Sequence, residues 1–166
     1  MKKIVVLALT LILLLNLCAC GSIDSIVDKI PDSRKEFKLG EAAELNSISV
    51  TFIGITESTG SQFAKPEDGN VFVLCEFEIV NNSDEELAVS SMMSFDAYCD
   101  DSSVSLSLGA LMEKGSKNQL DGTVAAGKKM QGVIGYEIPS DWTELEIQYT
   151  MDLMSSDKLT FIASNN

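Results

Sequence analysis

Val71-Phe72-Val73-Leu74-Cys75-Glu76-Phe77-Glu78-Ile79 is the stretch on which the fold turns. Val71, Val73, Cys75, Phe77 and Ile79 share one phase of a two-residue period, while Glu76 and Glu78 occupy the other. Side chains alternate between the faces of a strand, so this run implies a strand with one buried and one wet face. Turn sequences bound it on both sides, Asp68-Gly69 before and Asn81-Asn82-Ser83-Asp84 after. Glycine reaches positive φ freely, and Asn and Asp side chains bond their own backbone, which is why such clusters reverse the chain.

The same period recurs outward from this centre. Upstream, Ile48, Val50 and Phe52 alternate with Ser49 and Thr51, and Gly54 marks a bulge before Ile55. Residues 58–70, with Gly60 and Pro66, read as a loop. Downstream, Leu87 with Val89 begins a strand, and Phe95, Ala97 and Cys99 alternate with polar residues up to an acidic corner, Asp100-Asp101. A short strand is expected over Val104–Leu108, and a helical turn around Leu111 and Met112 within an irregular stretch. After the Ala126-Gly127 turn, an apolar-rich strand runs from Lys128 to Glu137 and is stopped by Pro139. Leu145, Ile147 and Tyr149 alternate next, and Leu159 with Phe161 closes the series, while Trp142 reads as a partly buried cap. About seven to nine short strands divided by Gly, Asn, Asp and Pro turns imply an all-β antiparallel sandwich over residues 37–166.

The start of the chain follows different rules. Lys2 and Lys3 precede an apolar run from Ile4 to Leu15 broken only by Thr10. That is a secretory signal pattern, too short for a bilayer span of ~20 apolar residues. Leu17-Cys18-Ala19-Cys20-Gly21 resembles the bacterial lipobox. The resemblance implies cleavage between Ala19 and Cys20 and a diacylglyceryl group on the Cys20 thiol, leaving the chain on the outer face of the cytoplasmic membrane. Cys18 departs from that pattern, where a small residue is usual. Residues 1–19 are then the signal peptide and 20–36 the lipidated cysteine and tether. Within the tether Ile23, Ile26, Val27 and Ile30 recur at helical spacing ahead of Pro31, which leaves flexible spacer and short amphipathic helix both open.

Charge and composition exclude several partners. The chain carries a formal charge of −13, and loss of the signal with Lys2 and Lys3 makes it −15. Nucleic-acid phosphates need a basic footprint, and anionic lipid attracts basic segments, so neither is an electrostatic partner; attachment falls to the lipid on Cys20. Histidine is absent, which removes the commonest general base and transition-metal ligand. Asp84-Glu85-Glu86 and Asp100-Asp101 lack the spacing of a calcium loop and read as solvated turn charges; Lys128-Lys129 reads as an exposed turn pair. No Gly-x-Ser-x-Gly or glycine-rich phosphate loop occurs. No metal, cofactor or catalytic residue is expected. Cys75 and Cys99 fall on the inward phases of their strands, which leaves open a disulfide or two free buried thiols.

Read in order, Leu39-Gly40-Glu41, Gly69-Asn70-Val71-Phe72-Val73, Asn81-Asn82-Ser83-Asp84-Glu85, Ala126-Gly127-Lys128-Lys129 with Gly132, and Tyr136-Glu137-Ile138-Pro139 resemble a family of Gram-positive lipoproteins carrying a domain of unknown function. The resemblance spans Phe37 to Ile162. It implies the immunoglobulin-like sandwich of the immunoprotective extracellular protein superfamily and brings no catalytic residues or ligand. The expected function is a non-enzymatic, lipid-anchored binding or adaptor module whose partner is an envelope protein or small ligand. Two alternatives stand beside it: a small-ligand or metal-ion carrier for a transporter, and a carboxylate-based hydrolase of envelope polymer.

Overall fold

A computed structural model describes residues 36–115, 117–151 and 157–165. The expected signal peptide, the expected cleavage and lipidation site at Ala19 and Cys20, and the expected tether through residue 35 lie outside the described residues. In chain order the strands are β1 (Glu36–Lys38), β2 (Ala42–Leu45), β3 (Ile48–Ser58), β4 (Asn70–Asn81), β5 (Leu87–Val89), β6 (Phe95–Cys99), β7 (Ser102–Val104), β8 (Gly122–Val124), β9 (Lys129–Pro139), β10 (Glu144–Tyr149) and β11 (Leu159–Ser164). One short helix, α1 (Leu108–Met112), lies between β7 and β8. Glu36, assigned above to the tether, is instead the first residue of β1, paired with Thr160.

The strands form a β-sandwich. One sheet has the order β1-β11-β10-β6-β7, the other β2-β3-β4-β9, and β5 with β8 makes a two-stranded ribbon. Every pairing is antiparallel except β1 with β11. Among the described residues eleven strands form, more than the expected seven to nine, because β1, β2 and β8 are three or four residues long, too short to display a period. The strand expected over Val104–Leu108 is instead β7, which ends at Val104, and Leu108 starts the helix. The bulge falls where Gly54 marked it: the β3–β4 register shifts between Phe52 and Gly54, which leaves Ile53 as the extra residue. Two hairpins turn on two residues that both take positive φ without being glycine, Asn46-Ser47 and Asp100-Asp101. Positive φ at both central positions suits the right-handed twist of the flanking strands, and Asn and Asp tolerate it best.

Between the sheets Phe77 is the hub. It stacks on Phe52 at a centroid distance of 4.6 Å and reaches across to Phe95 and Phe161 at 5.3 and 5.5 Å. Fully burying each ring contributes ~1.5–3 kcal/mol, and the offset and edge geometries add to it. The outward phase of β4 is not uniformly wet, however. Glu76 and Glu78 are half-buried and pair with Lys117 and Lys129. Phe72 and Leu74, on the same phase, are buried because α1 lies over them, with Leu74, Leu111 and Val133 forming a second small core. Ser107 caps α1 by accepting from the Ala110 N–H. Close approach is possible because two glycines meet this helix region: a Cβ built on Gly135 comes within 2.9 Å of Ala110 Cβ, and one on Gly109 within 2.9 Å of Phe72 Cζ.

The register defines two ends. Glu36, Thr160, Gln148 and Asp96 form one row across the first sheet, close to the end where the chain enters the sandwich. That entry end also carries Asn81 and the β5–β8 ribbon, since Ile48 pairs with Asn81 and Val124 O accepts from its side chain. Asp100-Asp101, Trp142 and the 59–69 loop stand at the far end, tied by Thr143 and Glu144 N–H donating to Asp100 and by Trp142 Nε1 donating to Glu57. Trp142 is a fully buried cap, at 3% exposure, where partial burial was expected.

Candidate functional site

At the entry end, three separated stretches converge on a cleft of about 490 Å³. The β5–β8 ribbon contributes Val89 and Thr123, the following loop Ser90, Met93 and Ser94, and the end of β10 Thr150 and Met151. Its walls are predominantly apolar, with Ser, Thr and one Asp as the polar groups. A cleft of this size, apolar with a few convergent polar groups, is the usual form of a small-ligand site.

The Ser90–Ser94 loop is shaped by its own hydroxyls. Ser94 N–H donates to Ser90 O at 2.8 Å, and Ser90 N–H donates back to Ser94 Oγ at 3.2 Å. Ser91 N–H and hydroxyl both donate to the Asp121 carboxylate, at 2.9 and 2.8 Å, and Gln119 Nε2 donates to Ser91 Oγ at 2.9 Å. Thr150 N–H donates to Ser94 O at 2.9 Å, which fastens the loop to β10. These bonds fix the loop and turn the two residues between them outward: Met92 is 74% exposed and Met93 60%. Methionine is flexible and polarisable, and exposed methionines suit apolar partners of variable shape.

A second, polar groove of about 310 Å³ lies on the outer face of the first sheet, lined by Tyr98, Asp100, Asp101, Glu144, Glu146 and Gln148. Asp100 is already committed: it accepts from the Thr143 hydroxyl and the Thr143 and Glu144 N–H groups. Led by the Thr143 hydroxyl, these donors hold its carboxyl below the usual Asp range. A carboxylate so held is a strand-end cap, not a proton donor. No group of three or more metal-ligating side chains occurs among the described residues.

Cys75 and Cys99 are free, buried thiols. Their positions along the strands hold the two thiols apart. Phe77 faces Phe95 across the core; Cys75 is two residues from the first and Cys99 four from the second, in the same direction. With ~10 Å between sheets and ~3.3 Å per residue along a strand, the Cα atoms exceed the ~7 Å that a bridge allows. Burial raises the Cys75 thiol well above its ordinary range, and burial with the nearby Asp100 charge pushes Cys99 up to about 11. Neither is a thiolate nucleophile near neutral pH. Lys129 of the turn pair bonds Glu78 at 2.8 Å. Sequence reading missed the cleft altogether; the only local signal was two adjacent methionines among serines, Ser90-Ser91-Met92-Met93-Ser94.

The comparisons with known proteins agree with this fold. Against the curated proteins the sequence finds no match. Among solved structures it is similar to the ycdA protein of Bacillus subtilis, described as a candidate lipoprotein, with 19% identity and a TM-score of 0.63 over 74% of this chain. That match spans only 38% of the ycdA chain. The yjhA protein of Bacillus subtilis is similar at 18% identity and a TM-score of 0.59, covering 75% of this chain and 97% of its own. An uncharacterised β-sandwich protein of Clostridium difficile is similar at 15% identity and a TM-score of 0.50, over 80% of this chain and 97% of its own. The profile of the family described as domain of unknown function DUF4352 matches residues 37–159, and the chain belongs to that family.

Proposed function

We propose that this protein is a lipid-anchored, extracytoplasmic binding module without catalytic activity, attached through Cys20 and taking its ligand in the cleft at the entry end. The observation that carries the reading is that cleft: Val89, Met93 and Met151 supply apolar walls, and Ser, Thr and Asp121 the polar groups. Its lining includes no cationic side chain, so it suits a neutral or cationic molecule with an apolar part rather than an anion. The lipobox-like Leu17-Cys18-Ala19-Cys20 run supports the anchor, and a similar chain described as a candidate lipoprotein is consistent with it. The two-sheet arrangement supports the immunoglobulin-like reading of the fold. Fold alone does not choose a ligand, because sandwiches host many functions.

The test is site-specific photocrosslinking in native membranes, with the photoreactive group at Thr123 in the cleft and, for comparison, at Glu146 on the opposite groove. The reading expects a discrete adduct from position 123 that position 146 does not give, weakened by Val89→Asp. Identical adduct patterns from both positions would overturn it.

A further inference from the structure

Cys20 and Glu36, where the first strand starts, are only 16 positions apart, and β1 starts at the same end as the exposed methionines. We propose that the entry end is a bilayer-contact surface, with Met92 and Met93 inserted into the apolar boundary of the membrane that holds the anchor. This rests on the lipid-anchor reading above. Three observations carry it.

The first is reach. As a flexible coil a tether of 16 steps has a root-mean-square span of ~20–24 Å, and fully extended it spans less than ~58 Å. The tether therefore keeps the entry end near the bilayer, because β1 runs away from that end toward the far one, from Glu36 beside Thr160 to Lys38 beside Ile162.

The second is the loop itself. Ser90–Ser94 is braced by Asp121, Gln119 and Thr150, so Met92 and Met93 are held out from a fixed support. Presenting two thioether side chains to water has no folding benefit, and burying them in hydrocarbon is favourable. Weak insertion suffices here, because a tether converts the contact into an intramolecular event at high effective concentration.

The third is charge. The entry end carries Lys128, Lys129 and Lys158, the last two paired with Glu78 and Asp96, and it also carries Glu36, Asp84, Glu85, Glu86 and Asp121, so anionic lipid gives it no net pull. Contact must come from apolar insertion, which is insensitive to salt where electrostatic adhesion is not. Phe63, 76% exposed on the 59–69 loop at the far end, provides an internal comparison.

The experiment uses the lipidated protein reconstituted into phosphatidylcholine vesicles containing brominated acyl chains. A fluorophore is placed through Met93→Cys or, separately, Phe63→Cys; Cys75 and Cys99 are buried and stay unlabelled in the folded chain. Flotation establishes attachment before quenching is read. The expected result is severalfold stronger quenching at 93 than at 63, unchanged between low and high salt or on adding phosphatidylglycerol, and lost when Met92→Asp is added. Flotation with equal quenching at both positions overturns the bilayer contact while leaving the anchor standing. Failure to float overturns the anchor reading and this proposal with it. Quenching that rises with phosphatidylglycerol and falls with salt also overturns it, since the adhesion is then electrostatic.

Discussion

Replacing Asn81 by alanine removes the side chain that holds three parts of the entry end together. Asn81 is fully buried, and its Nδ2 donates to Glu85 O at 2.8 Å and Val124 O at 2.9 Å. Its Oδ1 accepts from Ser83 N–H and hydroxyl, at 3.0 and 2.7 Å. One amide thus joins the end of β4, the 82–86 turn and β8. The two Ser83 bonds lie near solvent, and water replaces them, so each is worth ~0.5–1 kcal/mol. The two carbonyls are different: an unsatisfied buried acceptor costs ~1–3 kcal/mol, with Val124 O the more buried. The sum is ~3–8 kcal/mol, and its lower bound alone lowers Tm by ~10 °C for a domain of this size. Urea and thermal unfolding of the soluble domain measure it, with Asn82→Ala as the comparison. Asn82 is exposed and contributes its backbone N–H to Ser47 O, so its truncation stays within ~0.5 kcal/mol. A loss below ~1 kcal/mol for Asn81→Ala would show that this amide is not the clasp of the entry end.

Other consequences are equally direct. Gly135→Ala drives a methyl to within 2.9 Å of Ala110 Cβ, and overpacking of this kind destabilises by ~1–3 kcal/mol; an unchanged urea midpoint means α1 does not pack on β9 as described. Tyr149 OH is buried with no hydrogen-bond partner among the described residues, so Tyr149→Phe is neutral or stabilising by up to ~1 kcal/mol, and a clear loss of stability contradicts that placement. Thiol titration without reductant gives two reactive thiols from Cys75 and Cys99 in denaturant and almost none in the native state, whereas none in denaturant would restore the disulfide. Asp100 has a lowered folded pKa, so its stabilisation is complete above the unfolded Asp value of ~3.9 and disappears as pH falls through the folded one. Asp100→Asn therefore flattens the acid side of the stability profile, and an unchanged profile removes the strand-end cap from the picture.

The legible and illegible parts of this fold differ in the kind of information they need. The inward phase of β4 was readable because a sandwich imposes a strict period of two on every strand that faces its core, and Glu76 and Glu78 marked the other face. Phe72 and Leu74 broke that logic, because their cover is five residues of helix, Leu108-Gly109-Ala110-Leu111-Met112, too short to show a helical period. The phase of Cys75 and Cys99 was correct, yet phase says nothing of offset along the strands, and the offset keeps the thiols apart. The cleft was invisible for a related reason. Val89, Met93, Thr123 and Met151 come from stretches that no local pattern connects, and only the pairing of β5 with β8 and of Thr150 with Ser94 joins them. The Asp100-Asp101 corner was expected to be solvated charge; its two positive φ values and the three donors on Asp100 make it a hairpin turn that also anchors β10.

All of the proposed function depends on where the chain is held, and the intact mass of protein extracted from membranes tests that most directly. A chain beginning at Cys20 and carrying the mass of a diacylglyceryl group is the expected result. A chain with a different first residue, or with Cys20 unmodified, would contradict it.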